Sequence, residues 1–178
     1  SHAQQVRPGG AMRLSAKVQS GVIDTAGWKE DSEFGVYPQG ARAKQAVFAP
    51  SLVPDPCLKP HHRYLFKWSK GSYPDQFWSE IIAYRVGCLL GVDVPPAFAA
   101  LNSATEQSAA LIEWFYQDDE EVFVPAGEFL QAIRPDFDRD KGEAHNLQDI
   151  ELLMRSLHTA GSRVQDWRMW WVRTLLFD

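Results

Sequence analysis

The 178-residue chain lacks the features that would place it at once in a common structural class. It has two cysteines, Cys57 and Cys88, and no secretory signal, so we expect two reduced thiols in a cytoplasmic protein. No run approaches the roughly 18 consecutive apolar residues of a membrane-spanning helix. The net charge is −5 and no Lys/Arg stripe is present, so autonomous nucleic-acid binding is not expected.

The patterns of several catalytic and metal sites are missing as well. No histidine combines with cysteines or carboxylates at the spacing of zinc ligands, so no metal site is predicted. There is no Gly-x-Ser-x-Gly elbow and no Cys/His nucleophile arrangement. What the chain does have is an apolar share of 45% and seven tryptophans, which indicate a packed globular body.

Residue periodicity divides the chain into strand-like segments followed by helix-like ones. Strands are predicted at 14–18, 47–49, 62–69, 97–102 and 109–116, and helices at 76–90, 126–133, 147–157 and 165–177. The best-delimited helix has Asp75 as its predicted N-cap and Gly91 as its C-cap. In the strongest strand, Leu65 and Lys67 face one side, and the aromatic residues Tyr64, Phe66 and Trp68 face the other.

The most informative pair of residues is Lys67, near the end of a strand, and Glu80, in the helix that follows. A strand lysine held by a helix glutamate positions the phosphates of ATP in protein-kinase-like folds. Upstream, Gly40 opens a turn-prone, basic segment that ends at Lys44, where backbone N–H groups could cradle phosphate oxygens. Two other interpretations stay open: an ordinary hairpin turn at 40–44, and an edge-strand Lys67 whose stem covers apolar surface.

The order of these motifs resembles the N-terminal lobe of the HipA-like kinases, bacterial toxin–antitoxin relatives of protein kinases. The resemblance spans roughly Val36 to Phe115 and continues more loosely to Asp178. It is carried by the following segments in order: Gly40-Ala41-x-x-Lys44, Phe66-Lys67, Glu80-x-x-Ala83-x-x-x-Gly87, Leu90-Gly-Val-Asp-Val-Pro-Pro96 and Ile112-Glu-Trp-Phe115. It implies an α+β chain, with a small antiparallel sheet and one packed helix followed by an incomplete helical lobe. The implied domains are a flexible arm at 1–12, an ATP-binding lobe at 13–118 and the first helices of the second lobe at 119–178.

The resemblance also implies a nucleotide site. Lys67 would bind the ATP phosphates and Glu80 would hold Lys67. The phosphate-covering loop would consist of Gly40, Ala41, Arg42, Ala43 and Lys44. The backbone of Glu113 and Phe115 would meet the adenine edge as the hinge, and Trp114 would point away from the nucleotide.

The sequence departs from the family in its catalytic residues. The family's Asn-x-Asp-x-His-x-x-Asn loop and its Mg²⁺-binding Asp have no counterpart here, and Asp136 to Asp140 is predicted to be a polar loop instead. No catalytic residue is therefore assigned, and Mg²⁺ would be bound by residues beyond this chain. The segment 37–44 also has no Ser or Thr, so the family's self-phosphorylation switch is not expected.

Two functions follow from this combination. The first is the ATP-binding half of a HipA-like Ser/Thr protein kinase, inactive alone. The alternative is a non-catalytic pseudokinase or an interaction subunit of a split toxin–antitoxin assembly. The opening Ser1-His2-Ala3 resembles the remnant of an affinity tag, which favours a truncated kinase. A protein substrate or antitoxin-like partner is implied, and self-association is expected through the Trp-rich helix at 165–177, which is apolar around most of its circumference.

Overall fold

The computed structural model describes residues 15–33, 43–69, 71–116, 121, 124, 126–138, 141 and 146–159. The chain divides into two compact units, Ser1–Phe115 and Tyr116–Asp178. The first unit contains strands β1 (Ile23–Asp24), β2 (Lys29–Glu30), β3 (Lys44–Phe48), β4 (Arg63–Trp68), β5 (Ala97–Asn102) and β6 (Gln107–Glu113), with helix α1 (Trp78–Leu90). The second unit contains helices α2 (Ala126–Ile133) and α3 (Leu147–Thr159). The chain is therefore α+β.

The six strands form one sheet in the order β1-β5-β6-β4-β3-β2. The sheet was predicted to be antiparallel, and this is wrong for one pair, because β1 runs parallel to β5. All other neighbours are antiparallel. Strands β1 and β2 were not predicted, because each has only two residues, too few to show an alternating pattern.

Strand β4 separates the two hydrophobic clusters of the first unit, as its alternation predicts. Tyr64 and Phe66 are buried in one cluster, with Leu111 of β6 and Phe98 of β5, and Trp68 packs against it. The second cluster lies beneath α1, where Phe77, Ile81, Tyr84 and Cys88 pack on Ala97 and Ala110. Lys67 pairs in register with Ala110, which assigns Lys67 to the face that α1 covers.

Helix α1 begins two residues later than predicted, and Asp75 is not its N-cap. The N-cap position is Phe77, which makes no side-chain capping bond. The first turn is entered through backbone bonds instead: the N–H groups of Trp78 and Ser79 donate to the carbonyls of Asp75 and Gln76. The predicted end is confirmed, because Gly91 adopts the left-handed conformation at φ 68°.

The β5–β6 hairpin is confirmed, and β5 has the predicted bounds. Strand β6 ends at Glu113, three residues before its predicted end. The predicted strand at 14–18 is not formed over residues 15–18, which have no regular secondary structure. The next residue, Gln19, bonds to the backbone of Ala99 in β5 through its side chain, a local arrangement that an alternating pattern cannot distinguish from a strand.

In the second unit, α2 has the predicted bounds and α3 extends two residues past the predicted stripe. Ile150, Leu153 and Met154 of α3 are buried with Leu130 and Phe137. The predicted Trp-rich helix at 165–177 lies outside the described residues. Both cysteines are free and buried. Within the described part of the chain, no helix is long and apolar enough to cross a bilayer.

Candidate nucleotide site

Lys67 and Glu80 form an ion pair that joins β4 to α1. The Lys67 Nζ lies 2.7 Å from the Glu80 Oε1, and both side chains are about one-quarter exposed. Glu80 occupies the first turn of α1, beside the buried Ile81. The predicted proximity of these two residues is confirmed, and the pair anchors the start of the helix to the sheet.

A second lysine lies directly opposite Lys67. Lys44 begins β3 and is the cross-strand partner of Lys67, so the two side chains share one face of the sheet. Partial burial, and then the nearby Lys67 charge, lower the pKa of Lys44. Two lysines on one face of the sheet, with Glu80 bonded to Lys67, are an arrangement that suits an anionic ligand.

The predicted phosphate-covering loop falls mostly outside the described residues. Gly40, Ala41 and Arg42 lie there, and nothing places them relative to Lys67. Ala43 precedes β3, and its carbonyl accepts a hydrogen bond from the Trp68 N–H at 3.2 Å. Lys44 was predicted in the loop but belongs to β3, because it continues the ladder with β4.

The predicted hinge lies where β6 ends. The Glu113 N–H donates to the Pro96 carbonyl at 2.8 Å, whereas the Trp114 N–H donates to the Arg63 carbonyl at 3.1 Å. The Trp114 carbonyl also faces β4, with the His62 Nε2 at 3.1 Å. The backbone N–H groups of Glu113 and Trp114 therefore point in opposite directions, toward Pro96 and toward Arg63. Both the N–H and the carbonyl of Trp114 bond to residues at the start of β4.

The Trp114 ring packs on a charged neighbour. The Arg63 guanidinium lies 4.6 Å from its centroid. Because Arg63, Leu65 and Lys67 alternate with buried aromatic residues, they share one face of β4. The Trp114 ring therefore packs on the Lys67 side of the sheet, against the prediction that it points away from a nucleotide bound there. Arg63 lies four residues, about 13 Å, from Lys67 along β4.

The Glu113 side chain is held on the other face by two lysines. Its Oε2 lies 2.5 Å from Lys17 Nζ and its Oε1 lies 2.6 Å from Lys59 Nζ. Burial disfavours the charged carboxylate, but the hydrogen bonds from both lysines outweigh it and lower the pKa of Glu113. Sequence reasoning missed both lysines, since they lie 96 and 54 residues away and no local pattern links them to Glu113.

A surface groove lies apart from the predicted nucleotide-binding residues. An open groove of about 430 Å³ is lined by residues 72–76, the loop between β4 and α1, and includes none of the predicted nucleotide-binding residues. Within the described ranges, no three His, Cys, Asp or Glu side chains are grouped as metal ligands.

Comparison of the chain with protein-family models, curated proteins and solved structures finds no match.

Proposed function

We propose that the first unit binds ATP as the N-terminal lobe of a HipA-like Ser/Thr protein kinase. The observation that carries this proposal is the 2.7 Å pair between a strand lysine, Lys67, and a helix glutamate, Glu80. An ion pair of this type keeps the ammonium group at a fixed place, where it can contact phosphate oxygens. The cross-strand Lys44 supports the proposal, because it adds a second cation on the same face.

The adenine end of the proposed site is the backbone of Glu113 and Phe115. Two backbone bonds support this role: Trp114 turns its N–H toward Arg63, and the Glu113 N–H turns the other way, to the Pro96 carbonyl. Main-chain groups of Glu113 and Phe115 other than this N–H would then meet the base. The Glu113 side chain takes no part in base contact, since it is held by two lysines. The proposed site thus uses side chains for the phosphates and main chain for the base.

The proposal is tested by measuring ATP binding to the wild-type chain and to Lys67→Met by isothermal titration calorimetry. A hydrogen bond to a charged group contributes about 1.5–3 kcal/mol. We therefore expect Lys67→Met to weaken ATP binding by about 10- to 100-fold, and Lys44→Met to weaken it less.

Lys29→Met is the matched control. Lys29 lies in the exposed edge strand β2, so its loss removes the same charge without touching the site. Equal ATP affinity in the wild type and in a folded Lys67→Met variant would overturn the assignment, as would an equal loss in Lys29→Met, because only net charge would then matter.

We further expect ATP binding without phosphotransfer. The Asn-x-Asp-x-His-x-x-Asn pattern does not occur in the 178 residues, so no residue here is assigned to bind Mg²⁺ or to activate a substrate hydroxyl. Mg²⁺, when bound, would neutralise phosphate charge, and it would be held by residues outside these 178. ATP hydrolysis or autophosphorylation that is lost in Lys67→Ala would contradict this expectation. Binding without transfer in the intact parent protein would favour the pseudokinase or interaction-subunit alternative.

A further inference from the structure

Residues Ala16–Ser20, here called the N-terminal strap, attach to three separate parts of the first unit. The Gln19 side-chain amide both donates to and accepts from the backbone of Ala99 in β5, at 3.0 and 2.7 Å. Ser20 donates to the Asp55 carboxylate through its N–H and its hydroxyl, each at 2.7 Å. Ala16 packs against the cluster beneath α1. The strap therefore follows the β5 edge without being a strand.

Lys17 is the strap residue that reaches groups belonging to both faces of the sheet. Its backbone N–H donates to the Tyr84 hydroxyl at 2.7 Å, and Tyr84 lies one helical turn after Glu80 on α1. Its Nζ bonds to the Glu113 Oε2 at 2.5 Å. Glu113 pairs with Tyr64, whose side chain belongs to the face opposite α1. One residue thus contacts the helix that carries Glu80 and the end of the strand that leads into the proposed hinge.

Both contacts of Lys17 are costly to lose. The Glu113 side chain is only 9% exposed, and a buried carboxylate needs its hydrogen-bond donors. The Tyr84 side chain is buried beside Phe98, with ring centroids 6.2 Å apart, so losing the Lys17 N–H would remove a hydrogen bond from a buried hydroxyl, which also interacts with the Cys88 side chain. Lys17 therefore ties α1 to the end of β6 in addition to the direct packing of α1 on Ala97 and Ala110.

We infer that Lys17 is a positioning residue, which fixes the spacing between the Glu80 helix and the hinge from outside the nucleotide site. The effect of Lys17 on ATP binding rests on the proposed function, whereas its effect on the spacing does not. Loss of the Lys17 side chain releases the hinge end of this link, and loss of the Tyr84 hydroxyl releases the helix end. Either change alone breaks the link.

The test has a structural readout that needs no nucleotide. Amide hydrogen exchange is measured in α1 and at residues 113–115 for Lys17→Met, Lys17→Arg, Tyr84→Phe and Lys59→Met. We expect Lys17→Met and Tyr84→Phe to accelerate exchange at both ends by about tenfold, and Lys17→Arg to restore protection. Lys59→Met also removes one lysine from Glu113 but leaves both strap bonds in place, to Glu113 and to Tyr84, so it accelerates exchange at residues 113–115 alone.

ATP affinity supplies the second readout, as a double-mutant cycle. If Lys17 acts as a link, Lys17→Met and Tyr84→Phe each weaken ATP binding by about threefold to tenfold, and the double variant is no weaker than either single one. Additive losses, or α1 exchange that is equal in Lys17→Met and Lys59→Met, overturn the inference. If the wild-type chain does not bind ATP, the proposed function fails, and hydrogen exchange alone decides the role of Lys17. Tyr84→Phe tests the link from its other end if Lys17→Met does not fold.

Discussion

At the scale of single residues, the carboxylates of Asp55 and Glu113 are buried, and each is held by several hydrogen-bond donors. Asp55 accepts hydrogen bonds from the Ser20 N–H, the Ser20 hydroxyl and the Cys57 N–H, the last at 3.0 Å. Burial acts to raise the pKa of Asp55, but these bonds outweigh it and hold the pKa well below its usual range. Burial and the neighbouring Asp55 raise the pKa of the Cys57 thiol to about 12, so this cysteine stays protonated at neutral pH.

The Asp55 bonds predict a pH-dependent contribution to stability. A carboxylate whose pKa is lowered in the folded state stabilises the fold above its unfolded pKa, about 3.9, and loses that contribution as the pH falls. We expect Asp55→Asn to lower the free energy of unfolding by about 1.5–3 kcal/mol at pH 7. The difference from wild type should narrow between pH 5 and about pH 2, as measured by urea denaturation. A difference that stays constant over this range would show that lost packing, and not charge, accounts for the effect.

The Lys67–Glu80 contact was predicted from the strand–helix order together with the resemblance to HipA-like kinases; without that resemblance, an edge-strand Lys67 covering apolar surface fits the sequence as well. The sequence was not sufficient to predict the lysines around Glu113. Lys17 lies in a segment without regular structure and Lys59 in a proline-rich loop, so neither position follows from periodicity. Their convergence depends on the tertiary path of the chain.

At the scale of elements, α1 is positioned at its C-terminal end by a close approach of the backbone. A Cβ added to Gly87 would lie 2.1 Å from Val94 Cγ2. The Val92 N–H donates to the Gly87 carbonyl at 2.8 Å, as the chain turns back through Gly91. Since valine has a stiff side chain, Val94 cannot simply rotate away from an added methyl group.

This contact predicts the result of Gly87→Ala. Alanine favours a helix over glycine by about 1 kcal/mol, but overpacking against Val94 costs about 1–3 kcal/mol. We therefore expect Gly87→Ala to be neutral to destabilising by about 2 kcal/mol in thermal or urea denaturation, with partial recovery when Val94→Ala is added. Gly71→Ala is the control, since an added Cβ there meets open space. A clear gain in stability from Gly87→Ala alone would contradict the proposed close packing.

Long helices and strands with a clear hydrophobic period were predicted best, and the shortest strands were missed. The bounds of β5 and α2 follow from the sequence, and Gly91 ends α1 as its left-handed conformation requires. The start of α1 was misjudged because Asp75 resembles a cap in sequence, while the backbone of residues 75–77 performs that role in the structure. The parallel pairing of β1 with β5 has no local signature, since only two residues take part.

At the scale of the whole molecule, each compact unit has hydrophobic clusters of its own. The two clusters of the first unit draw only on residues between Ala16 and Ile112. The cluster of the second unit draws on residues between Leu130 and Met154. Each described cluster thus draws on residues of one unit alone.

A fragment of residues 15–116 should therefore fold alone. We expect a single cooperative urea transition that coincides by Trp fluorescence and near-UV circular dichroism. The fragment should also keep the ATP affinity of the full chain if the proposed function is correct. A fragment with native-like secondary structure but without a cooperative transition would show that the first unit depends on residues beyond Tyr116.

The strap has a consequence for aggregation. Both outermost strands of the sheet, β1 and β2, are only two residues long, and β2 consists of a lysine and a glutamate, so neither offers a long template for another strand. Next to β1, the longer strand β5 carries the mostly apolar run Ala97-Phe-Ala-Ala-Leu101, and Gln19 occupies its backbone at Ala99. A chain shortened past Ile23 would expose this run as an unpaired edge, and intermolecular strand pairing would then compete with correct folding. Gln19 of the strap and strand β1 thus also limit fibril-like association, because they occupy the outer edge of β5.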